Sequence, residues 1–339
     1  MNCGAGYQPG AQPSTLNVMA APSAVPSELR AVLDGAGLVD RSERGKLALT
    51  GRDAKEFLAG QVTNDVVGLA PGLGCYAAVL TPKGKMVGDL RILDAGDELL
   101  LDTERSALQG VFDVLRRATI GFDVELHKRT LQRGLLSLVG PRAREVADAA
   151  ELGGEEHAHR PATVGGAPVR LIATDVGVDV LCLAEDTQAV CDALTKAGAE
   201  PVSEQAAEVV RVEHGRPRWG AELDETIIPQ EAGLNERAVS FTKGCYVGQE
   251  TVARLHWKGK PNRHLRGLRL SEPVEPGAQL WLGERQVGQV GSVALSPEHG
   301  PIALAVVRRE AGVGDVLRVG DGEVTATVED LPFASPQAA

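Results

Sequence analysis

The chain has 339 residues, with 46 acidic and 35 basic side chains and a formal net charge of −11 at pH 7. This length predicts two or three domains that need no metal or disulfide to stabilise a core, and the acidic balance argues against overall attraction to nucleic acid or anionic membranes. The five cysteines are widely spaced and form no Cys-x-x-Cys pair, which favours a reducing, cytoplasmic setting. No apolar run reaches about 18 residues, so no membrane-spanning helix is predicted.

The first part of the chain predicts a flexible tail followed by an α+β region. Residues 1–27 carry no charge and are rich in Ala, Pro, Ser and Gly, as expected of a tail. Alternation at residues 46–50 predicts a strand, and Asp53 is a suitable N-cap for a short helix after it. The later elements of this region are predicted as strands at residues 76–80, 86–93, 98–101 and 122–126, with a helix between Glu104 and Arg117.

The next stretch has the order of a split β-α-β-β-α unit. Its strands are predicted at residues 135–139, 169–173 and 178–183, and its helices at residues 141–150 and 187–196. Residues 153–166 are predicted to form a loop rich in Gly, Glu and His. Its His157 and His159 could in principle share one face as metal ligands, but loop histidines are usually solvated, and no metal site is predicted.

The C-terminal region differs in pattern from everything before it. After a predicted helix at residues 203–214, short apolar runs broken by Gly and Pro predict strands at residues 265–270, 279–282, 287–295, 302–307, 316–319 and 324–328. Six strands so closely spaced suggest a small β-barrel. The predicted organisation is therefore a tail (1–27), an α+β region (28–260), a barrel (261–330) and a second tail (331–339).

The common nucleotide-binding and hydrolase signatures are absent from the sequence. One other motif does stand out. Residues 243–250 read Lys-Gly-Cys-Tyr-Val-Gly-Gln-Glu, with two glycines around a cysteine and an aromatic residue. A thiolate at Cys245 could be favoured by the nearby Lys243 and by the start of a following helix. Alternatively, Cys245 is a small buried side chain in a tight turn, and the spacing alone leaves both readings open.

This motif resembles the signature of the YgfZ family of folate-binding proteins, which are relatives of the glycine-cleavage T-protein. Three other segments agree with the resemblance, namely residues 51–66, 80–93 and 211–217, and the match runs from about residue 38 to 330. The resemblance implies a T-protein-like fold of class α+β, with ferredoxin-like subdomains and a C-terminal barrel around a central folate cavity. It also implies that the turn at Cys245 lines that cavity.

The resemblance further implies roles for individual residues. Glu213 matches a glutamate that hydrogen-bonds the pterin, and a carboxylate can accept two parallel N–H bonds from such a ring edge. Asp89 matches an aspartate near the reactive folate nitrogens, where it could stabilise charge or move a proton. Arg44 occupies the place of a tryptophan that stacks on folate in some members. Lys243 and Tyr246 are predicted as further cofactor contacts, and Cys245 and Asp89 as the catalytic pair.

A cluster of cations follows the motif: Arg254, Lys258, Lys260, Arg263, Arg266 and Arg269, with no acidic residue between them. Such a cluster could guide the polyglutamate tail of tetrahydrofolate or contact an anionic partner, because clustered cations raise the local concentration of anions. A solvated linker is the alternative.

Two functions are the leading candidates for this sequence, and a third, a T-protein-like scaffold that binds a partner without folate, stays open because Arg44 replaces the stacking tryptophan. The first is a tetrahydrofolate-binding accessory protein that supports iron-sulfur cluster assembly or repair, and indirectly tRNA modification, through contacts with assembly or client proteins. The second is a folate-dependent aminomethyltransferase or demethylase in which Asp89 handles charge and no reactive cysteine is needed. Direct nucleic-acid or membrane binding is expected in neither case, and whether the protein is an enzyme stays open.

Overall fold

The structure, a computed structural model, describes residues 26–333, so most of the two predicted tails lies outside the described residues. The helices are α1 (Pro26–Asp34), α2 (Ala54–Ala59), α3 (Leu108–Ala118), α4 (Ala143–Val146), α5 (Thr187–Lys196), α6 (Glu204–Glu213), α7 (Asn235–Ala238) and α8 (Gln249–Lys258), with 3-10 turns at Ala184–Asp186 and Pro229–Ala232. Within this described range, no helix is both long enough and apolar enough to span a membrane.

The strands form two open sheets and a closed barrel. They are β1 (Gly37–Asp40), β2 (Gly45–Thr50), β3 (Gly74–Leu80), β4 (Met86–Asp94), β5 (Leu99–Thr103), β6 (Glu125–Lys128), β7 (Arg133–Val139), β8 (His159–Val164), β9 (Ala167–Thr174), β10 (Gly177–Leu183), β11 (Glu200–Pro201), β12 (Arg263–Leu270), β13 (Gln279–Leu282), β14 (Arg285–Ser296), β15 (Gly300–Arg308), β16 (Val316–Val319) and β17 (Thr325–Glu329). The first sheet has the order β11-β1-β7-β10-β9-β8, the second β3-β4-β5-β2-β6, and the barrel β12-β15-β14-β13-β16-β17. The second sheet is thus inserted between two neighbouring strands of the first.

Each open sheet packs one apolar face against its own helices. On the second sheet, α3 contributes Leu108, Val111 and Leu115, which are spaced to lie on one side of a helix and are buried against α2 and the strands. The first sheet is covered in the same way by α4 and α5, and the barrel encloses a separate apolar core. Each of the three sheets is therefore built around a main apolar core of its own.

The remaining faces of the two open sheets meet each other. Side chains alternate along a strand, so in β4 Leu90 and Ile92 enter the core beneath the sheet while Asp89 and Arg91 lie on the opposite face. Arg91 Nε is 2.6 Å from Asp102 Oδ2 in the second sheet, and its Nη1 is 2.7 Å from Asp179 Oδ2 in the first. All three of these residues are buried. A small apolar cluster seals the same interface and consists of Ala48, Leu93, Leu100, Ile172 and Leu181.

The predicted fold class is confirmed, with two α+β sheets and a closed six-stranded barrel. The local differences occur where long-range pairing decides the structure. Part of the predicted loop at residues 153–166 is the edge strand β8, whose Pro161 interrupts the usual strand pattern. The helix predicted at residues 141–150 is reduced to the single turn of α4. The strand predicted from residue 122 begins at Glu125, and Phe122, which lies before it, has its ring 5.4 Å from that of Phe57.

Replacing Arg91 with methionine should lower the free energy of unfolding by about 3–5 kcal/mol, because Asp102 and Asp179 would remain buried without their common cation. Chemical denaturation of the full chain measures this effect. The matched control is Arg285→Met, which removes an exposed ion pair to Glu310 and should change stability by less than about 1 kcal/mol. Equal losses in the two variants would contradict a role for Arg91 in joining the sheets.

Candidate functional site

A polar cavity of about 290 Å³ lies between the facing surfaces of the two open sheets and α6. Its lining includes seven arginines and eight acidic residues: Arg41, Arg44, Arg91, Arg211, Arg216, Arg218, Arg237, Glu43, Asp89, Asp102, Glu104, Glu156, Asp175, Asp179 and Glu204. These opposite charges nearly balance, and many of them are joined in ion pairs. Polar atoms without a partner are therefore the best indicators of where a ligand binds.

Asp89 is one such residue in the cavity, because only one of its two carboxylate oxygens has a hydrogen-bond partner within the described chain. Its Oδ2 accepts a hydrogen bond of 2.6 Å from the hydroxyl of Tyr76, which stands on the neighbouring strand β3. Its Oδ1 is buried and has no hydrogen-bond partner among the described residues. Burial raises the pKa of Asp89, although the Tyr76 hydrogen bond and the charge of Arg44 oppose that rise. The free oxygen can accept a hydrogen bond from a ligand.

Arg44 also lines the cavity, as part of an ion-pair network. Its Nη2 is 2.9 Å from Asp102 Oδ1, and its Nη1 contacts Glu104. Burial alone would raise the pKa of Asp102, but the charges of Arg91 and Arg44 outweigh burial and lower it to about 2. Arg44 thus lies in the cavity where folate is predicted to bind, and its guanidinium is held by protein carboxylates.

Glu213 is not brought to the cavity, contrary to the role that the resemblance implies for it. The residues of α6 that line the cavity are Glu204, Ala207 and Arg211, which share one side of the helix. At about 100° per residue, Glu213 lies nearly opposite Glu204 around the helix axis. The half-buried Glu213 is the last residue of α6, and its carbonyl accepts a hydrogen bond of 3.0 Å from the backbone of Phe333.

The signature segment 243–250 acts as a clamp on the end of α2 and on the segment that follows it. Lys243 Nζ donates to the carbonyl oxygens of Ala59, Val62 and Asn64 at 2.6, 2.7 and 2.9 Å, which uses all three N–H groups of the ammonium. Burial lowers the pKa of Lys243 to about 8. Lys243 therefore has no N–H group left to donate to a thiolate at Cys245.

One glycine of the signature is required by the backbone. Gly248 has φ of +85°, and a Cβ at this position would lie 2.6 Å from the carbonyl oxygen of Thr81. The other glycine, Gly244, has open space around it and no such conformation. Only the second of the two glycines is thus explained by close packing, here against the turn between β3 and β4.

Tyr246 and Cys245 also lie outside the cavity lining, and they differ sharply in exposure. The ring of Tyr246 is buried among apolar residues such as Leu80 and Val252, and burial raises the pKa of its hydroxyl to about 12. Cys245 is exposed at the surface. The expectation that the turn at Cys245 lines the cavity was therefore wrong, as was the alternative that Cys245 is buried in a tight turn.

The cluster of cations after the motif is divided by ion pairs. Arg263, Arg266 and Arg269 pair with Glu231, Asp330 and Glu329, respectively. Arg254, Lys258 and Lys260 remain exposed near the end of α8. Half of the predicted anion-binding cluster is thus engaged within the protein.

Several residues of the cavity lining were not predicted from the sequence. Arg211 and Arg216 lie in the segment that carried the family resemblance, and helical phase would have identified Arg211 in place of Glu213. Arg237, Glu156 and His157 stand on a short helix and in an irregular segment, where no periodicity indicates which side chains face a cavity. Long-range packing alone brings them to the site.

Two open α+β sheets around a polar cavity, followed by a barrel, define the class of the glycine-cleavage T-protein. The GCVT N-terminal domain matches residues 7–243, and the glycine cleavage T-protein C-terminal barrel domain matches residues 263–334. The chain belongs to this family.

Two relatives illustrate the similarity over nearly the whole chain. A chloroplastic protein of Arabidopsis thaliana, named a "putative transferase", is 28% identical over 315 residues, which cover 90% of this chain and 72% of the relative. The crystal structure of the glycine cleavage system aminomethyltransferase T from Bartonella henselae superposes with a TM-score of 0.82 at 25% identity. That match covers 92% of this chain and 91% of the other.

Replacing Lys243 with methionine should lower the free energy of unfolding by about 2–3 kcal/mol, because three carbonyl groups lose their donor. Lys258→Met provides the control, since Lys258 is exposed on α8 and its loss should change stability by less than about 0.5 kcal/mol. Chemical denaturation distinguishes the two. A Lys243→Met variant as stable as the control would contradict the role of Lys243 as a clamp.

Proposed function

We propose that this protein binds tetrahydrofolate in the central cavity and acts as a YgfZ-like accessory protein for iron-sulfur cluster assembly or repair, with indirect effects on tRNA modification. The free Oδ1 of Asp89 is the observation that carries the folate assignment. In a cavity whose other carboxylates are largely paired with arginine, this acceptor suits an N–H group of a reduced pterin.

The size and polarity of the cavity support the same ligand. Its volume of about 290 Å³ is close to the lower end of the range for small-molecule sites, roughly 300–1,000 Å³. It therefore suits a bicyclic ring better than a whole folate with its tail. The tail of a polyglutamylated folate would extend beyond the cavity.

The exposed thiol supports a role toward partner proteins. Cys245 is exposed at the surface, on the segment that Lys243 holds in place. An iron-sulfur assembly or client protein could therefore contact its thiol without entering the cavity. The other described cysteines, Cys75, Cys182 and Cys191, are also free, which agrees with a cytoplasmic, reducing setting. In this proposal, folate binding and thiol chemistry occupy different parts of the protein.

A second candidate function is one-carbon transfer to tetrahydrofolate, as in an aminomethyltransferase. It is favoured by the position of Asp89 in the cavity, by its raised pKa and by its hydrogen bond from Tyr76. An acid held in this way can stabilise developing positive charge or move a proton. Cys245 would have no part in this chemistry.

Tetrahydrofolate should raise the melting temperature of the purified full-length protein, because a ligand that binds only the folded state stabilises it. Asp89→Asn should weaken binding at least about tenfold through loss of a charge-assisted hydrogen bond. Calorimetric titration measures the dissociation constants, with the exposed substitution Asp97→Asn as the control. Absence of both stabilisation and binding in the wild-type protein would refute the folate assignment.

Cys245→Ala should abolish support of an iron-sulfur enzyme in cells that lack this protein, while leaving tetrahydrofolate affinity unchanged. Cys191→Ala is the matched control, because Cys191 is a half-buried thiol on α5 at the edge of another core. The second candidate function predicts full activity of Cys245→Ala, together with loss of one-carbon transfer in Asp89→Asn. Retained activity in both variants would exclude both functions.

A further inference from the structure

His157 is a buried histidine of the cavity wall that the family resemblance does not assign to any task. It is only 9% exposed, and it lies in the segment just before β8. Both ring nitrogens are buried and lack a hydrogen-bond partner within residues 26–333. The sequence had suggested a solvated loop histidine, and the structure corrects that expectation.

The backbone of His157 is held in an unfavourable conformation. Its φ is +72°, in the left-handed region, which is unfavourable for a residue with a side chain. The chain is fixed there by hydrogen bonds of 2.8 Å from His157 N to the carbonyl of Ala173 and from Ala173 N to the carbonyl of Ala158. Strain of this kind is often retained at ligand sites, where it positions a side chain.

The surroundings of His157 join it to Asp89 along one wall of the cavity. Its Nε2 lies 3.6 Å from Glu156 Oε1, beyond hydrogen-bond range, and Glu156 pairs with Arg237. The guanidinium of Arg237 lies 5.2 Å from the ring centre of Tyr76, whose hydroxyl donates to Asp89. Arg237 Nε is a further buried atom without a partner in the described chain. This wall thus presents a free acceptor on Asp89, a free donor on Arg237 and a free imidazole.

His159 shows that burial alone does not leave a histidine unpaired in this fold. It is 4% exposed, yet its Nε2 is 3.1 Å from the carbonyl oxygen of Leu73 and its Nδ1 is 2.9 Å from Arg170 Nη1. His159 therefore has a structural role that His157 lacks. Burial and the charge of Arg91 lower the pKa of His157 to about 4, so at pH 7 its ring is neutral, with one donor and one acceptor nitrogen.

We propose that His157 contacts the ligand directly and helps to select it, by hydrogen-bonding the polar edge of the pterin ring together with Asp89 Oδ1 and Arg237 Nε. A carboxylate, a guanidinium and a neutral imidazole together match a heteroaromatic ring whose edge carries both N–H donors and oxygen or nitrogen acceptors. This inference rests on the proposed folate function and adds the part of the ligand that His157 recognises.

The test compares His157→Leu and His157→Asn with wild type in the full-length protein. Leucine removes both polar atoms, whereas asparagine keeps an amide and tolerates the left-handed backbone. Calorimetry would measure the dissociation constants of tetrahydrofolate and of p-aminobenzoylglutamate, the part of folate without the pterin. His157→Leu should weaken tetrahydrofolate binding about tenfold, His157→Asn less, and neither should alter the binding of p-aminobenzoylglutamate.

The melting temperature without ligand separates a binding role from a structural one. It should stay unchanged or rise in both variants, because the imidazole has no partner to lose. His159→Leu is the matched control, and it should lower the melting temperature while leaving the tetrahydrofolate affinity of the folded protein unchanged.

Each other outcome has a definite meaning. Unchanged tetrahydrofolate affinity in His157→Leu would overturn this inference while the folate function stands. Failure of both His157 variants to fold would overturn it as well, because it would show that the ring serves folding. A wild-type protein that does not bind tetrahydrofolate would overturn the proposed function, and this inference with it.

Discussion

The bridge formed by Arg91 between Asp102 and Asp179 is the interaction on which the arrangement of the two open sheets depends. Each sheet has one apolar face that is covered by its own helices. The two faces that meet therefore carry the side chains that alternate, along each strand, with the side chains of the core. Here those side chains are charged, and removing them from water is costly unless they are paired. Arg91 satisfies one acid from each sheet, and an apolar contact around Leu93 and Ile172 completes the interface. Where these contacts end, the same polar faces become the walls of the cavity.

The signature segment supports this cavity from outside it. Lys243 holds the carbonyl of Asn64, and the side-chain amide of Asn64 donates to the backbone carbonyls of Tyr76 and Arg237 at 2.9 and 3.1 Å. Tyr76 in turn orients Asp89. A segment that looks like the chemical centre of the sequence therefore positions residues of the cavity wall, while its own cysteine faces solvent. In the proposed function, folate recognition and thiol chemistry are separated in space, although hydrogen bonds link the segment that carries Cys245 to the cavity wall.

The sequence could predict those features that local periodicity and motif similarity determine. The barrel strands, the amphipathic α3 and the placement of Asp89 belong to this group. Glu213 shows where motif similarity fails, because a difference of two positions along a helix turns a side chain to the other side. His157 shows a second limit: its burial comes from the pairing of β8 at a sheet edge, which no pattern within residues 153–166 reveals. Local helix geometry decides the first case, and contacts between residues far apart in the chain decide the second.

The insertion of the second sheet into the first has a consequence for the order in which the molecule can assemble. Leu38 of β1 pairs with Leu138 of β7, so this pairing must wait until the whole intervening unit has left the ribosome. The other neighbour of β1 is β11, which is made later still. Bringing such distant segments together is entropically unfavourable and slow. We therefore expect the inserted unit to gain structure during synthesis while β1 is still waiting, unpaired, for both of its neighbours.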